Sequence, residues 1–431
     1  MFALSILVMC GTEVMATVLS LISPLVPNSV IGIFAIIAFI KIVVMMRYDF
    51  DKDLKALLLI TAVSLFYDVG ILIRFLSGHI YEISELKDTT YISLLGIIIG
   101  LVLCKSIYNK TVQEMKPVRL AILGGILFIV ANAFLIILYG TLKTSNGDGS
   151  IALDNYSFQL PELIKLELVI SVYVTSKLMK TAKEYILFFY TTVLVSLVML
   201  AGVFREWGTT LLIVYFTFVV AFFLSSSQHT HLKSHRTISK IICSNTFPIT
   251  VGSIFFMICG ITKRVLYNKF PYRGAKGESL YGFDNTLYNL SSRLSGDSAQ
   301  VQAAHQSIKI AWPIQLNLNS ELSIPNALPK TAIADYAYVM VVQAFGKLIA
   351  PLLFFSFAIA LLFSIRNRGD ALAKASVAMI LLQIFVQISG IIFQFCFTGV
   401  NIPFLSAGGS SALSSFVLFT FILYSIRRNY K

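Results

Sequence analysis

Three sets of residues in this chain have the types and spacing to do chemistry. Asp335 stands where a long polar segment gives way to an apolar run, with Ile333, Ala334 and Ala337 beside it. A carboxylate at such a border is expensive to keep and marks a functional site, and its chemistry would be to take a proton from a hydroxyl. The same position suits an N-cap for the following helix, and position alone leaves both readings open. Glu162 and Lys165 are three residues apart, hence on one helical face. They read either as a buried structural pair or as a lysine facing a cavity and tuned by the acid; Glu167 adds a carboxylate on another face. The third set is Thr398–Ser411, TGVNIPFLSAGGSS, at the head of the last apolar run. Gly408 and Gly409 permit close backbone approach, and Ser410 and Ser411 offer hydrogen bonds to substrate or to neighbouring helices. Irregular polar backbone at membrane depth is tolerated beside protein or a wet cavity. Small residues also serve plain helix packing there, so the two readings compete.

Other charged groups are candidates of lower rank. Arg205, next to Glu206, either anchors a helix end or helps to bind substrate. Arg293 either is solvated in its loop or contacts a phosphate or sugar. Lys41 and Lys347 have stems long enough to reach an interface, whereas Asp68 is too short and should face the bundle. The five histidines form no ligand cluster on one segment, and the five cysteines show no CxxC spacing. Scattered in or beside apolar runs, the cysteines read as small core residues; no structural metal is expected.

The elements that carry these groups are apolar helices. Of 431 residues, 57% are hydrophobic and 13% charged, with mean hydropathy +0.82; soluble chains carry about 25% charged residues. A crossing helix needs about 20 apolar residues. Twelve runs qualify, near 2–24, 29–46, 56–77, 91–108, 118–139, 161–179, 184–203, 208–226, 244–263, 335–364, 373–396 and 407–427, the weakest being 244–263, which Asn245 and Pro248 interrupt. The fold class is therefore an all-α polytopic membrane bundle. Six loops, 47–55, 105–119, 177–183, 227–240, 366–374 and 427–431, hold nineteen of the 34 Lys and Arg residues. By the positive-inside rule these face the cytoplasm, with both termini inside and the long 264–334 loop outside. The net charge of +13 is thereby explained by a membrane face, without nucleic acid. Within the long loop, Val301, Ala304, His305, Ile308 and Trp312 recur at helical spacing, which predicts an amphipathic helix on the membrane surface.

Four pieces occur in a fixed order: Gln159–Leu166 (QLPELIKL), Arg205–Thr210 (REWGTT, with Gly208 and Thr209), Leu328-Pro329 followed by Ala334–Tyr338 (ADYAY) and then Gly346, and TGVNIPFLSAGGSS with Pro403, Gly408 and Gly409. Together they resemble the SEDS family, the FtsW/RodA/SpoVE group of peptidoglycan glycosyltransferases. That family's patterns read roughly Q-P-S-E-x-x-K-L, P-D-L-G-T, L-P-E-x-x-T-D-F-x-F and T-G-x-x-L-P-F-x-S-Y-G-G-S-S. The likeness runs from about 150 to the C-terminus and implies a ten-helix core. Five runs precede Gln159 where the family has three, so residues 1–54 are expected to be an added helix pair. The expected division continues as 55–263 for the first part of the core, 264–334 for the outer loop and 335–431 for the last three helices.

The resemblance also implies a reaction. A sugar hydroxyl of a polyprenyl-linked disaccharide attacks the anomeric carbon of a growing chain, and pyrophosphate leaves. Asp335 would be the general base. Lys165 and Glu162, with Arg205, Arg293, Ser410 and Ser411, would organise substrate, and a divalent cation at the pyrophosphate is compatible with the chemistry. A single-span transpeptidase (a penicillin-binding protein) is the implied partner. The departures are Arg205-Glu206 for Pro-Asp, Gln343-Ala344 for Glu-Glu after the acid, Ala407 for Tyr, one extra residue between Leu-Pro and Asp335, and only Gln306-Ser307 left of the outer-loop pattern. They leave open a specialised acceptor or a member that binds without turning over; the rival readings are a lipid-precursor transporter and a non-catalytic scaffold for a partner synthase.

Overall fold

A computed structural model describes residues 50–76, 83–142, 150–153, 156–182, 185–204, 206–226, 299–314, 336–366, 369–393, 400–406 and 409–428. The described helices are α1 (Phe50–Leu76), α2 (Ile83–Ile107), the single turn α3 (Lys110–Gln113), α4 (Pro117–Leu142), α5 (Pro161–Leu178), α6 (Ile186–Phe204), α7 (Trp207–Ser226), α8 (Ala299–Ile310), α9 (Ala337–Phe345), α10 (Ile349–Ile365), α11 (Ala371–Ile392) and α12 (Gly409–Arg428). The chain is thus a polytopic helical membrane protein. Helices α4, α6, α11 and α12 are each long and apolar enough to cross a bilayer, and shorter apolar helical stretches lie in α1, α2, α7 and α10. The runs near 2–24, 29–46 and 244–263, and most of the 264–334 loop, lie outside the described residues. The other nine expected runs fall on described helices.

One of those nine needs correction. The run 335–364 is not a single helix: it breaks at Gly346 into α9 and α10. Gly346 has φ +95°, and a Cβ there would sit 2.6 Å from the Pro313 carbonyl oxygen, so only glycine fits. A broken helix exposes backbone groups that lipid cannot satisfy. Here the segment following α8 satisfies them: Lys347 N–H donates to the Trp312 carbonyl at 3.0 Å and Leu348 N–H to that of Pro313 at 2.9 Å. The helix expected within the 264–334 loop is present as α8, with Gln302, Gln306 and Lys309 on its exposed face. Ala303, Ala304 and Ser307 are buried against α9 and α11, and Trp312 lies beyond the helix end, exposed. Between α4 and α5 the chain forms an antiparallel hairpin of β1 (Ser150–Leu153) and β2 (Tyr156–Gln159), paired Ser150 to Gln159 and Leu153 to Tyr156.

Helix α12 is the hub. It packs on α2, α11, α5 and α1, and its residues 410–423 are buried without a break. The closest seam is with α2, whose Gly96 and Gly100 lie one turn apart. A Cβ on Gly96 would meet the Leu413 carbonyl oxygen at 2.8 Å, and one on Gly100 would meet Thr420 Cβ at 2.7 Å. Small residues four apart let backbones approach and gain dispersion contacts, the main attraction between helices in lipid. At the loop end of this bundle, Asp370 caps α11 through Ala373 N–H at 3.1 Å, accepts from Ser425 Oγ at 2.8 Å and accepts from the Tyr108 hydroxyl. The Arg428 guanidinium lies over the Tyr108 ring. That carboxylate ties α2, α11 and α12 together.

Candidate functional site

Helix α5 begins with Pro161 in its first turn, where a missing N–H and a preset φ do no harm. Glu162 follows in the same turn, at the positive end of the helix dipole. Its side chain is 4% exposed and that of Lys165 1%. Lys165 Nζ donates to Glu162 Oε1 at 2.6 Å, and Ser414 Oγ on α12 donates to Glu162 Oε2 at 2.7 Å. Each carboxylate oxygen therefore has a partner, one from the same helix and one from a helix 252 residues away. Two charges held this far from water persist only when paired and hydrogen-bonded. One turn before Ser414, Ser410 and Ser411 are buried as well, and the Ser411 carbonyl accepts from Ser414 Oγ at 3.1 Å and Ser415 Oγ at 2.6 Å. The acid–base pair of the first sequence piece and the serines of the fourth thus form one region.

The turn ahead of α12 is held as tightly. Residues 401–406 are all buried. Ile402 accepts from Leu405 N–H and Ser406 N–H, and Ser406 Oγ accepts from Ile402 N–H at 2.8 Å. Phe404, after Pro403, has φ +67°, a left-handed conformation that a bulky residue keeps only when its surroundings impose it. They do: its ring packs edge-on to Phe416, 5.4 Å between centroids. Gly70 of α1 admits the turn, since a Cβ there would lie 2.8 Å from the Leu405 carbonyl oxygen.

Buried Gln387 of α11 couples this turn to the start of α9. Its Nε2 donates to the Val400 carbonyl at 2.9 Å, and its Oε1 accepts from Tyr338 N–H at 3.4 Å. Asp335 itself lies outside the described residues, as do Arg205, Arg293 and Gly408. The residue after Asp335, Tyr336, is 1% exposed, so the chain enters the protein directly beyond the acid. Gln343, which replaces an acid of the resembled pattern, donates through Nε2 to the Ser307 carbonyl of α8 at 2.7 Å. A carboxylate could not make that bond.

Gly208 and Thr209 are buried at the head of α7. Just before them α6 ends in a π-helical turn, Met199–Phe204, and Glu206 N–H donates to the Leu200 carbonyl at 2.9 Å. On α5, Glu167 Oε2 accepts from Asn132 Nδ2 of α4 at 2.9 Å, apart from the Lys165 pair. Among the described residues no three His, Cys, Asp or Glu side chains gather as metal ligands. Sequence reasoning missed Ser414, Gln387 and the glycine seam of α2. The first two are lone polar residues in apolar runs, a signal too common to single out; the GIIIG spacing of Gly96–Gly100 was legible.

The sequence pattern of the cell cycle protein family FtsW/RodA/SpoVE matches residues 341–431. No curated protein matches by sequence. Among solved structures, a chain of a peptidoglycan synthase complex that coordinates polymerization and crosslinking is similar, with TM-score 0.58 and 16% identity over 86% of this chain and 98% of that one. At this identity the likeness bears on fold. The Rod shape determining protein RodA of Thermus thermophilus gives TM-score 0.49 and 16% identity, over 89% of this chain and 98% of that one. The matched pattern covers the broken-helix glycine, Gln387, the Phe404 turn and the serines of α12, so residues 341–431 of this chain are similar to the FtsW/RodA/SpoVE family.

Proposed function

We propose that the protein takes part in peptidoglycan synthesis, polymerising a lipid-linked disaccharide (lipid II) at the outer face of the bacterial cytoplasmic membrane. The observation that carries the reading is the hydrogen bond from Ser414 to Glu162 beside Lys165. It joins the first sequence piece, through its buried charges, to the helical turn of α12 that directly follows the fourth, an arrangement that simple helix packing does not require. In the proposed step the acceptor sugar hydroxyl attacks the anomeric carbon of the growing chain. The new C–O bond forms as the bond to the lipid pyrophosphate breaks, and the pyrophosphate leaves with the bonding pair. Asp335 takes the hydroxyl proton. Glu162 and Lys165 position the head of α5 against α12, and Arg205 and Arg293 are the outer cations that would meet the pyrophosphate. No step is assigned to a metal ion. The Lys and Arg asymmetry supports both termini inside, and a single-span transpeptidase is the expected partner.

A second reading has one observation in its favour. Lys165, Ser410 and Ser411 are all buried, and Lys165 is bonded to Glu162, which also suits a non-catalytic scaffold for a partner synthase. Incubating the purified full chain with labelled lipid-linked disaccharide in vesicles separates the two. Glycan polymer is expected. Absence of polymer from a correctly folded preparation, with stable co-purification of a transpeptidase, would select the scaffold and reject the polymerase.

A further inference from the structure

We infer that the loop end of α10 and α11 forms a binding site for an anionic phospholipid. A cavity of about 660 Å³ opens between α7, α10 and α11, walled by Val219, Leu362, Phe363, Ala378 and Phe385, with Arg366 and Lys374 at one end. Its walls are apolar and its two cations are exposed. A third cation, Lys55, sits 5.5 Å from the Phe363 ring centroid and donates to the Arg366 carbonyl. The acid of the intervening loop, Asp370, is turned inward to Tyr108, Ser425 and the α11 backbone. The mouth therefore presents positive charge to the membrane surface. Basic pockets between helices at a membrane face recognise phosphate head groups.

Depth decides between a lipid and a protein helix as the occupant. From Lys374 to Phe385 the groove runs about 16 Å along α11 at 1.5 Å per residue. That is one leaflet, about half of the 30 Å hydrocarbon core. An acyl chain with its phosphate between Arg366 and Lys374 fills that depth, whereas a crossing helix would need a groove through both leaflets. The inference requires only that the 366–374 loop lie at a membrane face, and it is independent of the polymerase reading.

The test uses the full-length protein in nanodiscs made with phosphatidylcholine alone or with phosphatidylglycerol. Lipid retained after mild detergent extraction is counted by native mass spectrometry. The wild type should keep phosphatidylglycerol in preference to phosphatidylcholine. The Arg366→Gln/Lys374→Gln pair should lower that preference about thirtyfold, two surface cations being worth about 1 kcal/mol each. Ala378→Phe, which fills the groove and leaves the charges, should lower retention of both lipids. Lys105→Gln/Lys116→Gln removes equal charge from another basic loop and should leave retention as in the wild type. Equal loss from both charge pairs would mean diffuse surface attraction and overturn the site, as would wild-type retention by the Ala378→Phe protein.

Discussion

Helices α4 and α12 are both long enough to cross a membrane, and they live in opposite surroundings. In α4, the more apolar of the two, 17% of the most hydrophobic stretch is buried inside the protein; in α12 the figure is 89%. Leu120, Asn132 and Leu135 are the buried residues of α4, and Ile126, Leu127, Ile129 and Val130 face outward. Helix α12 buries Ser410, Ser411, Ser414, Ser415, Thr420 and Ser425. In water the ranking would be reversed. In lipid an apolar surface gains nothing by moving inward, so helices are drawn together by close packing and by polar groups that need partners. The glycine seam and the Glu162–Ser414 bond supply both to α12.

The sharpest way to break this contrast is to orphan a charge. Glu162→Ala leaves the Lys165 ammonium buried without its counter-ion and is expected to cost about 3–5 kcal/mol, read as a large drop in the unfolding midpoint in detergent. Glu162→Leu/Lys165→Leu should recover most of that loss, because the fault lies in the uncompensated charge. Ser414→Ala removes a hydrogen bond to a carboxylate and should cost about 1.5–3 kcal/mol. A double-mutant cycle with Glu162→Ala should then give strongly non-additive values. Gly100→Ala drives a methyl group into Thr420 and should destabilise by about 1–3 kcal/mol. The same change at Gly125 of α4, where nothing lies within 4 Å, should stabilise by about 0.5–1 kcal/mol through helix propensity. Opposite signs for one substitution in two helices are the contrast in its smallest form; equal signs would remove it.

Hydropathy in the sequence found the helices and misjudged what they do. The expected run 118–139 lies within α4 and 407–427 nearly coincides with α12, because crossing lipid imposes length and apolarity locally. Burial was not legible that way, since it depends on partners: Gly96 meets Leu413, Gln387 meets Val400, and Ser414 meets Glu162 only in the folded bundle. The break at Gly346 escaped notice for the same reason, its backbone donors being met by Trp312 and Pro313 of the preceding segment. Part of the candidate site was readable, because Glu162 and Lys165 share a face by spacing alone. Their tie to α12 was not. The acid judged most important, Asp335, stands one residue before the buried Tyr336, and its role rests on resemblance.

That role is the claim to test. Polymer made from lipid-linked disaccharide by the purified wild type should be compared with that made by Asp335→Ala, at matched unfolding midpoints. The account predicts glycan strands from the first and none from the second. Strands of equal length and yield from both would contradict it.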